Sequence, residues 1–327
     1  MRIVITGAAG FLGQRLARAL LVRGTLTDAR GHQHAITELV LCDIAMAPIA
    51  DPRVRTVVGD LTAPATLDQV FAHDADSVFH LAAVVSGEAE ADFDLGMRVN
   101  LDGTRALLQR CRLFGAPAKI VFTSSLAVFG GTLPDPVPDD APLRPQSSYG
   151  TQKAIGEMLV YDMTRKGFID GRSLRLPTVT VRPGRPNRAA SSFASGIVRE
   201  PVAGHVAFVP VAPGTRMWVQ SPGAVIENLI AGHEAPASAF GESRSVNVPG
   251  LCVSVRGMVD ALRAVAGEEV ASRVQWRFDP AVDRIVSTWP ARFDARFGET
   301  LGMRCDADFA SIVRAHVAEQ AAPPAAP

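Results

Sequence analysis

Tyr149 and Lys153, in the run Tyr149-Gly150-Thr151-Gln152-Lys153, stand four residues apart at the start of a stretch with helical periodicity. Side chains at that spacing share one face of a helix. A free phenol titrates near pH 10 and is a weak base at neutral pH, whereas an ammonium group beside it favours the phenolate. The chemistry such a pair can do is to remove a proton from a hydroxyl group. The chain holds two tyrosines and three lysines (Lys119, Lys153 and Lys166), so the pairing is informative rather than a by-product of composition. Ser125, in Thr123-Ser124-Ser125, follows an apolar run and can hydrogen-bond the reacting oxygen; the alternative is that Ser124 and Ser125 only end a strand. Asn100, in Val99-Asn100-Leu101-Asp102-Gly103-Thr104, either joins a relay through water to Lys153 or caps a helix.

These groups need elements that bring them to one edge. Arg2 to Thr6, Glu38 to Cys42, Val54 to Val58, Ser77 to Leu81 and Lys119 to Thr123 are short apolar runs that predict buried strands. Between them, Phe11 to Arg23, Pro64 to Ala72 and Asp102 to Phe114 carry apolar residues at helical spacing. The alternation predicts an α/β fold, a doubly wound parallel sheet covered on both faces. A helix from about Tyr149 to Lys166 and a strand over Arg172 to Val181 follow. Residues 1–176 are therefore expected to form one domain and residues 177–320 a smaller mixed substrate lobe, with some chain crossing back. Short strands at Val206 to Val209 and Ser245 to Val248, and helices at Gly223 to Ala231 and Val255 to Ala266, fit that lobe. Gly24 to Thr37 is polar and is expected to be a surface insertion. The tail, residues 321–327, is Ala and Pro only and is expected to be disordered.

Thr6-Gly7-Ala8-Ala9-Gly10-Phe11-Leu12-Gly13 sits where the first strand ends and an amphipathic helix begins. Gly7 permits a tight turn, Gly10 lets backbone approach a pyrophosphate, and Gly13 allows close packing of the helix. The N–H groups at the helix start, around Phe11 and Leu12, then face the anion. This context predicts a Rossmann-type dinucleotide site. Asp43 ends the second strand of that site, where a carboxylate accepts from ribose hydroxyls and repels a 2′-phosphate, which favours NAD over NADP. Asp60, before Leu61, either meets the adenine amino group or caps a helix.

Together these motifs resemble the extended short-chain dehydrogenase/reductase family, also called the NAD-dependent epimerase/dehydratase family, over nearly the whole chain. Gly7, Gly10 and Gly13 match its glycine loop, Asp60-Leu61 its acidic pair, and His80-Leu81-Ala82-Ala83 its fourth strand end. Asn100 matches its N-x-x-G-T motif, and Ser125, Tyr149 and Lys153 its catalytic trio. The resemblance adds Leu61, Leu81, Ala82, Ala83, Asn100 and Pro177 to the expected cofactor contacts, beside Tyr149 and Lys153. It also implies a sugar or polyol pocket in the C-terminal lobe and a homodimer paired through the helix of Tyr149 and Lys153 and the long helix before it.

Leu126-Ala127 follow Ser125 where the sugar dehydratases of the family carry an Asp-Glu pair, so dehydration is not expected. Ala83 to Gly87, Pro145 to Lys153, Ser191 to Gly196 and Thr215 to Trp218 look like the subgroup of D-erythronate dehydrogenases, which oxidise the C2 hydroxyl of a four-carbon sugar acid. A small acid needs a cation and short hydroxyl groups. Arg216 is expected at the carboxylate, Arg185 is a second candidate, and Ser86, Thr178, Ser191 and Ser192 are expected at the substrate's hydroxyls, beside Ser125 and Tyr149. The alternatives are a nucleotide-sugar 4-epimerase, a uronate dehydrogenase, in which a similar arginine meets a sugar carboxylate, and a non-catalytic NAD sensor.

The bulk properties agree with a small-molecule enzyme. Lys+Arg and Asp+Glu balance at 33 each, which recruits no nucleic acid, and no run of about 18 apolar residues is present to cross a membrane. Cys42, Cys111, Cys252 and Cys305 lie far apart and are expected to be reduced packing residues, with no metal site. A strand at Met1 to Thr6 leaves no room for a signal peptide, and the cytoplasm is the expected location.

Overall fold

The computed structural model describes residues 1–184 and 191–321. Strand β1 (Arg2–Thr6) is wholly buried and leads through the glycine loop into α1 (Phe11–Arg23), which ends at Gly24 in the left-handed region. The polar segment after α1 is a small antiparallel hairpin, β2 (Thr25–Thr27) with β3 (Gln33–Ala35). Leu26 and Ile36 are buried beneath it, and the Thr27 N–H and hydroxyl both donate to Glu234, so the insertion is docked on the body of the protein. The hairpin also gathers Asp28, His32 and His34, with His34 Nε2 2.9 Å from an Asp28 carboxylate oxygen, a grouping that the expectation of no metal site had passed over.

The main sheet continues with β4 (Glu38–Asp43), β5 (Val54–Val58), α2 (Pro64–Val70) and β6 (Ser77–His80). Then come α3 (Ser86–Ala91), α4 (Phe93–Gly96), a π-helical stretch over Met97–Gly103, and α5 (Thr104–Cys111). Strand β7 (Lys119–Ser125), α6 (Ser148–Arg165) and β8 (Asp170–Leu176) close the first domain. The lobe holds β9 (Thr178–Val179), α7 (Ser192–Val202), β10 (Ala207–Val209) and β11 (Arg216–Gln220). After these come α8 (Pro222–Glu234), β12 (Ser245–Asn247), β13 (Leu251–Ser254) and α9 (Val255–Ala266). The last helix described, over Phe309–Ala321, includes Ala321, which had been placed in the tail. Residues 322–327 lie outside the described residues.

The seven-stranded sheet has the order β12-β8-β7-β6-β1-β4-β5, every neighbouring pair parallel. Alternate residues of one strand enter different cores. Ile3 and Ile5 join Leu39, Leu41 and Phe79 on one face, while Val4 joins Val40, Val78 and Ile120 on the other. Burial of both faces explains why these strands read as continuous apolar runs rather than as alternating ones. Two segments assigned to the lobe from sequence belong instead to this sheet. Helix α8 packs Val225 and Leu229 into the first core, and β12 pairs with β8 as the edge strand. The lobe has its own core, in which Phe193, Ile197, Met217, Met258 and Leu262 meet.

Helix α8 also carries His233 into the interior, where Nε2 lies 2.7 Å from Ser77 Oγ and the ring stacks on Phe79. Burial holds its pKa down at about 4, against an ordinary 6.5. The folded protein therefore refuses a proton that the unfolded chain accepts below pH 6.5. Stability is expected to fall as pH drops from 6.5 toward 4, by up to ~3 kcal/mol from this residue. His80, held neutral down to about 3, acts in the same direction. Urea unfolding at pH 7 and pH 5 checks this; equal pH dependence in wild type and His233→Gln would refute the assignment to His233.

Candidate active site

The end of β7 and the start of α6 are built against each other. After Ser125 the chain turns through a short 3-10 turn, Leu126–Val128, in which the Ala127 N–H donates to Ser125 Oγ at 3.2 Å. Ser147 caps α6, accepting from the Gly150 N–H at 3.1 Å. A Cβ at position 150 would lie 2.1 Å from the Ala127 carbonyl oxygen, so glycine there lets the first turn of α6 lie directly on the turn that leaves β7. That contact sets Tyr149 beside Ser125 in the wall of one cleft.

Lys153 follows one turn later and is buried. Its Nζ donates to the Thr123 carbonyl at 2.8 Å and lies 4.8 Å from the Phe122 ring centre and 5.7 Å from that of Tyr149. Burial lowers its pKa to about 7, with the charge of Glu157 opposing. Burial also raises the Tyr149 phenol above its ordinary value, and two groups work against that: the Arg182 guanidinium and a hydrogen bond with Ser125. Arg182 is the residue that sequence reasoning missed; its place just after β9, at the carboxyl edge of the sheet, was the signal available. Glu157 was missed as well. It lies one further turn along α6, buried, where its carboxylate accepts from Ser124 Oγ at 2.5 Å and from Arg175 at 2.8 Å.

Asn100 is not a helix cap. It lies inside the π-helical stretch, where its Oδ1 accepts from the Val84 N–H at 2.7 Å and its Nδ2 donates to Val84 O and Gln152 Oε1. Its carboxamide ties the segment after β6 to α6. Asp60 is likewise no helix cap: it accepts from the Thr62 N–H in a turn, and α2 begins after Ala63 without a side-chain cap. His80 is engaged at both ring nitrogens, with Thr6 Oγ1 at 2.7 Å and Thr104 Oγ1 at 2.9 Å, which suits a packing role.

The cleft above Tyr149 encloses about 610 Å³. Ser86, Ser125, Pro177, Thr178, Ser191, Arg182 and Arg216 line it together with Trp218 and Trp289. Pro177, expected at the cofactor, thus shares a wall with the expected substrate residues. Ser192 opens α7 next to Ser191, and Arg185 lies outside the described residues. Arg216 stands at the mouth, half exposed, 3.8 Å from an Asp135 oxygen. Of the four cysteines only Cys42 and Cys111 are buried packing residues; Cys252 and Cys305 are exposed.

At the other end of the strand edges, Gly7 has φ +70°, and a Cβ there would lie 2.7 Å from the Ala82 nitrogen. A Cβ at Gly13 would lie 2.2 Å from the Gly7 carbonyl oxygen, so α1 approaches the loop as closely as backbone permits. No side chain caps α1, which leaves its first N–H groups to an anion. Asp43 accepts from the Ala9 N–H at 2.9 Å and the Ile44 N–H at 2.7 Å, which fixes its carboxylate over the loop. Leu81, Ala82 and Ala83 follow β6 across from it. These residues fit a dinucleotide: a cradle that a Cβ would fill, a free helix start, and an anchored carboxylate.

The model of the NAD dependent epimerase/dehydratase family matches residues 3–218. The chain belongs to this family. Its relatives include the D-erythronate dehydrogenase of Cupriavidus necator, 56% identical over 97% of this chain and 98% of the relative. The D-erythronate dehydrogenase of Haemophilus influenzae is 42% identical, over 96% of this chain and 98% of the relative. A solved structure described as a nucleoside-diphosphate-sugar epimerase from Agrobacterium tumefaciens has 40% identity and a TM-score of 0.90, covering 98% of this chain and 94% of that one. As an epimerase/dehydratase family member the chain is an oxidoreductase that uses NAD, with the Rossmann-type sheet expected for it. Among the described residues, no helix is long and apolar enough to cross a membrane.

Proposed function

We propose that this protein oxidises the C2 hydroxyl of a small sugar acid, D-erythronate, to the 2-oxo acid, with Tyr149 as general base. The observation that carries the reading is the cleft itself. It sets hydroxyl groups and two arginines around the Tyr149 and Ser125 pair, in a chain 56% identical to a D-erythronate dehydrogenase.

Ser125 holds the C2 oxygen, and Tyr149 as phenolate takes its proton. Lys153, kept in place by Thr123, favours the phenolate through its charge. The Gly7 to Gly13 loop and Asp43 would hold NAD, which would supply the acceptor for the hydride leaving C2. Ser86, Thr178, Ser191 and Ser192 meet the remaining hydroxyls, and the cleft's two arginines, Arg182 and Arg216, provide positive charge for the acid. The cleft offers no carboxylate next to Ser125, where Leu126 and Ala127 stand, which argues against dehydration. Glu90, the cleft's own carboxylate, accepts from the Ser148 N–H.

The name of the Agrobacterium structure favours a second reading, a nucleotide-sugar epimerase. The two differ in what leaves the enzyme. A dehydrogenase releases NADH in proportion to substrate, whereas an epimerase regenerates NAD within each cycle. Absorbance at 340 nm over four- to six-carbon aldonic and uronic acids is expected to rise most with D-erythronate. A best response to a uronic acid would move the assignment to a uronate dehydrogenase, and no NADH from any acid, with epimerisation of a nucleotide sugar, would overturn the proposal. The proposal also includes a cytoplasmic homodimer, in which α6 faces a second copy. Ile155, Met158 and Tyr161 leave apolar surface exposed along that helix.

A further inference from the structure

Two arginines line the cleft, and they stand in different electrostatic settings. Arg216 is half exposed at the mouth and already within 3.8 Å of Asp135, a residue it shares with Arg292. Arg182 is on the inner wall, only partly accessible, and no carboxylate among the described residues forms an ion pair with it. Its position is fixed from its own backbone and stem. The Arg182 N–H donates to Ser195 Oγ at 3.0 Å, Arg199 donates to its carbonyl at 2.8 Å, and its Nε donates to Val179 O at 3.2 Å. The guanidinium is thereby held in the wall of the cleft that Tyr149 also lines, and its charge favours the phenolate; burial meanwhile lowers its own basicity. A partly desolvated guanidinium without a carboxylate partner is an anion site in waiting, and its planar fork suits a carboxylate.

We propose that Arg182, rather than Arg216, binds the substrate carboxylate, and that its place in the cleft wall shared with Tyr149 is what selects the hydroxyl on the adjacent carbon for oxidation. The inference rests on the reading of the substrate as a 2-hydroxy acid. In such an acid the carboxylate and the reacting oxygen are on neighbouring carbons, so the cation and the base that receive them must also be neighbours. A carboxylate held at the mouth by Arg216 would place a carbon further along the chain at Tyr149. Arg182 then has a second effect, since its positive charge favours the phenolate before substrate arrives. Arg216 is left to the far end of the substrate and to closing the mouth with Asp135.

The test compares wild type with Arg182→Met, Arg182→Lys and Arg216→Met, using D-erythronate and its neutral amide. Wild type is expected to favour the acid. Compared on the pH plateau of each variant, Arg182→Met is expected to lose about 10²-fold or more in kcat/KM for the acid while changing little for the amide, which abolishes the preference. Its ascending pH limb should also move to higher pH, and Arg182→Lys should restore part of both. Arg216→Met should keep the preference. NAD affinity and the unfolding midpoint, measured alongside, show that the variants are folded. If Arg182→Met keeps the acid preference, or Arg216→Met loses it, the inference is overturned. If wild type oxidises no acid, the functional reading fails, but the subsite is still read by calorimetric titration of 2-hydroxybutanoate into the protein saturated with NADH. Equal binding by wild type and Arg182→Met, or binding by neither, overturns it there.

Discussion

Tyr149→Phe is expected to lower kcat for D-erythronate by about 10³- to 10⁴-fold while leaving NAD affinity within a factor of two. The substitution deletes one oxygen and keeps the ring that fills the first turn of α6. Ser125 stays in place through the Ala127 N–H, and Lys153 through Thr123, so the structural consequence is confined to the missing proton acceptor. The glycine loop and Asp43 are held by contacts that do not involve Tyr149, which is why cofactor binding should survive. Single-turnover NADH formation and a fluorescence titration with NADH separate the two effects. A kcat within tenfold of wild type would remove Tyr149 from the base role. The pH profile gives a second reading: burial raises the phenol while Arg182 and the Ser125 hydrogen bond oppose it, so catalysis should climb with pH as the phenol ionises.

How much of this could be read from the sequence depended on whether a signal was local. Helix α1 is local in this sense: its apolar spacing and the glycines at either end specify Phe11 to Arg23, the bounds the structure shows. The Tyr149 and Lys153 pair is likewise set by helical spacing alone. The hairpin over residues 25–35 escaped because its strands are three residues long and its apolar content is little more than Leu26 and Ile36. Some crossing back of the chain is expected from sequence, but that α8 and β12 are the segments that return to the main sheet escaped for a different reason. A short strand and an amphipathic helix carry no mark of which sheet they join, since that depends on pairing with β8, some seventy residues earlier. Asn100 and Asp60 stand out by motif, yet their partners, Val84 with Gln152 and the Thr62 N–H, are set by loop paths that no spacing rule describes. Arg182 stood three residues before Arg185, which drew attention instead; that Arg182 lines the cleft with Tyr149 follows from the path of the chain after β9, which no spacing rule describes.

Glu157→Leu is expected to destabilise the protein by about 3–5 kcal/mol, the range for breaking a buried ion pair by removing one partner. Glu157 and Arg175 are both nearly inaccessible, and their contact is bidentate, with Nε at 3.0 Å from one oxygen and Nη2 at 2.8 Å from the other. Arg175 also donates to Asp139 O and Asn247 Oδ1, so the pair joins α6, β8 and the edge strand β12. Without Glu157 the guanidinium remains buried without its bidentate carboxylate partner, a larger loss than that of the pair as a unit. The double variant Glu157→Leu/Arg175→Leu should therefore recover part of the stability, as urea unfolding at pH 7 would show. No recovery would mean that packing, and not charge, sets the cost. The pair also reaches the chemistry, because Glu157 is the carboxylate that supports the charge on Lys153. Its removal lowers the Lys153 pKa further below about 7, so that more of the lysine is neutral at neutral pH. A neutral lysine gives the Tyr149 phenolate less support, and the ascending limb of activity should move to higher pH. A variant that is destabilised with an unshifted limb would confine Glu157 to the scaffold; a shift in both ties the buried pair on α6 to the base one face of the same helix presents to the cleft.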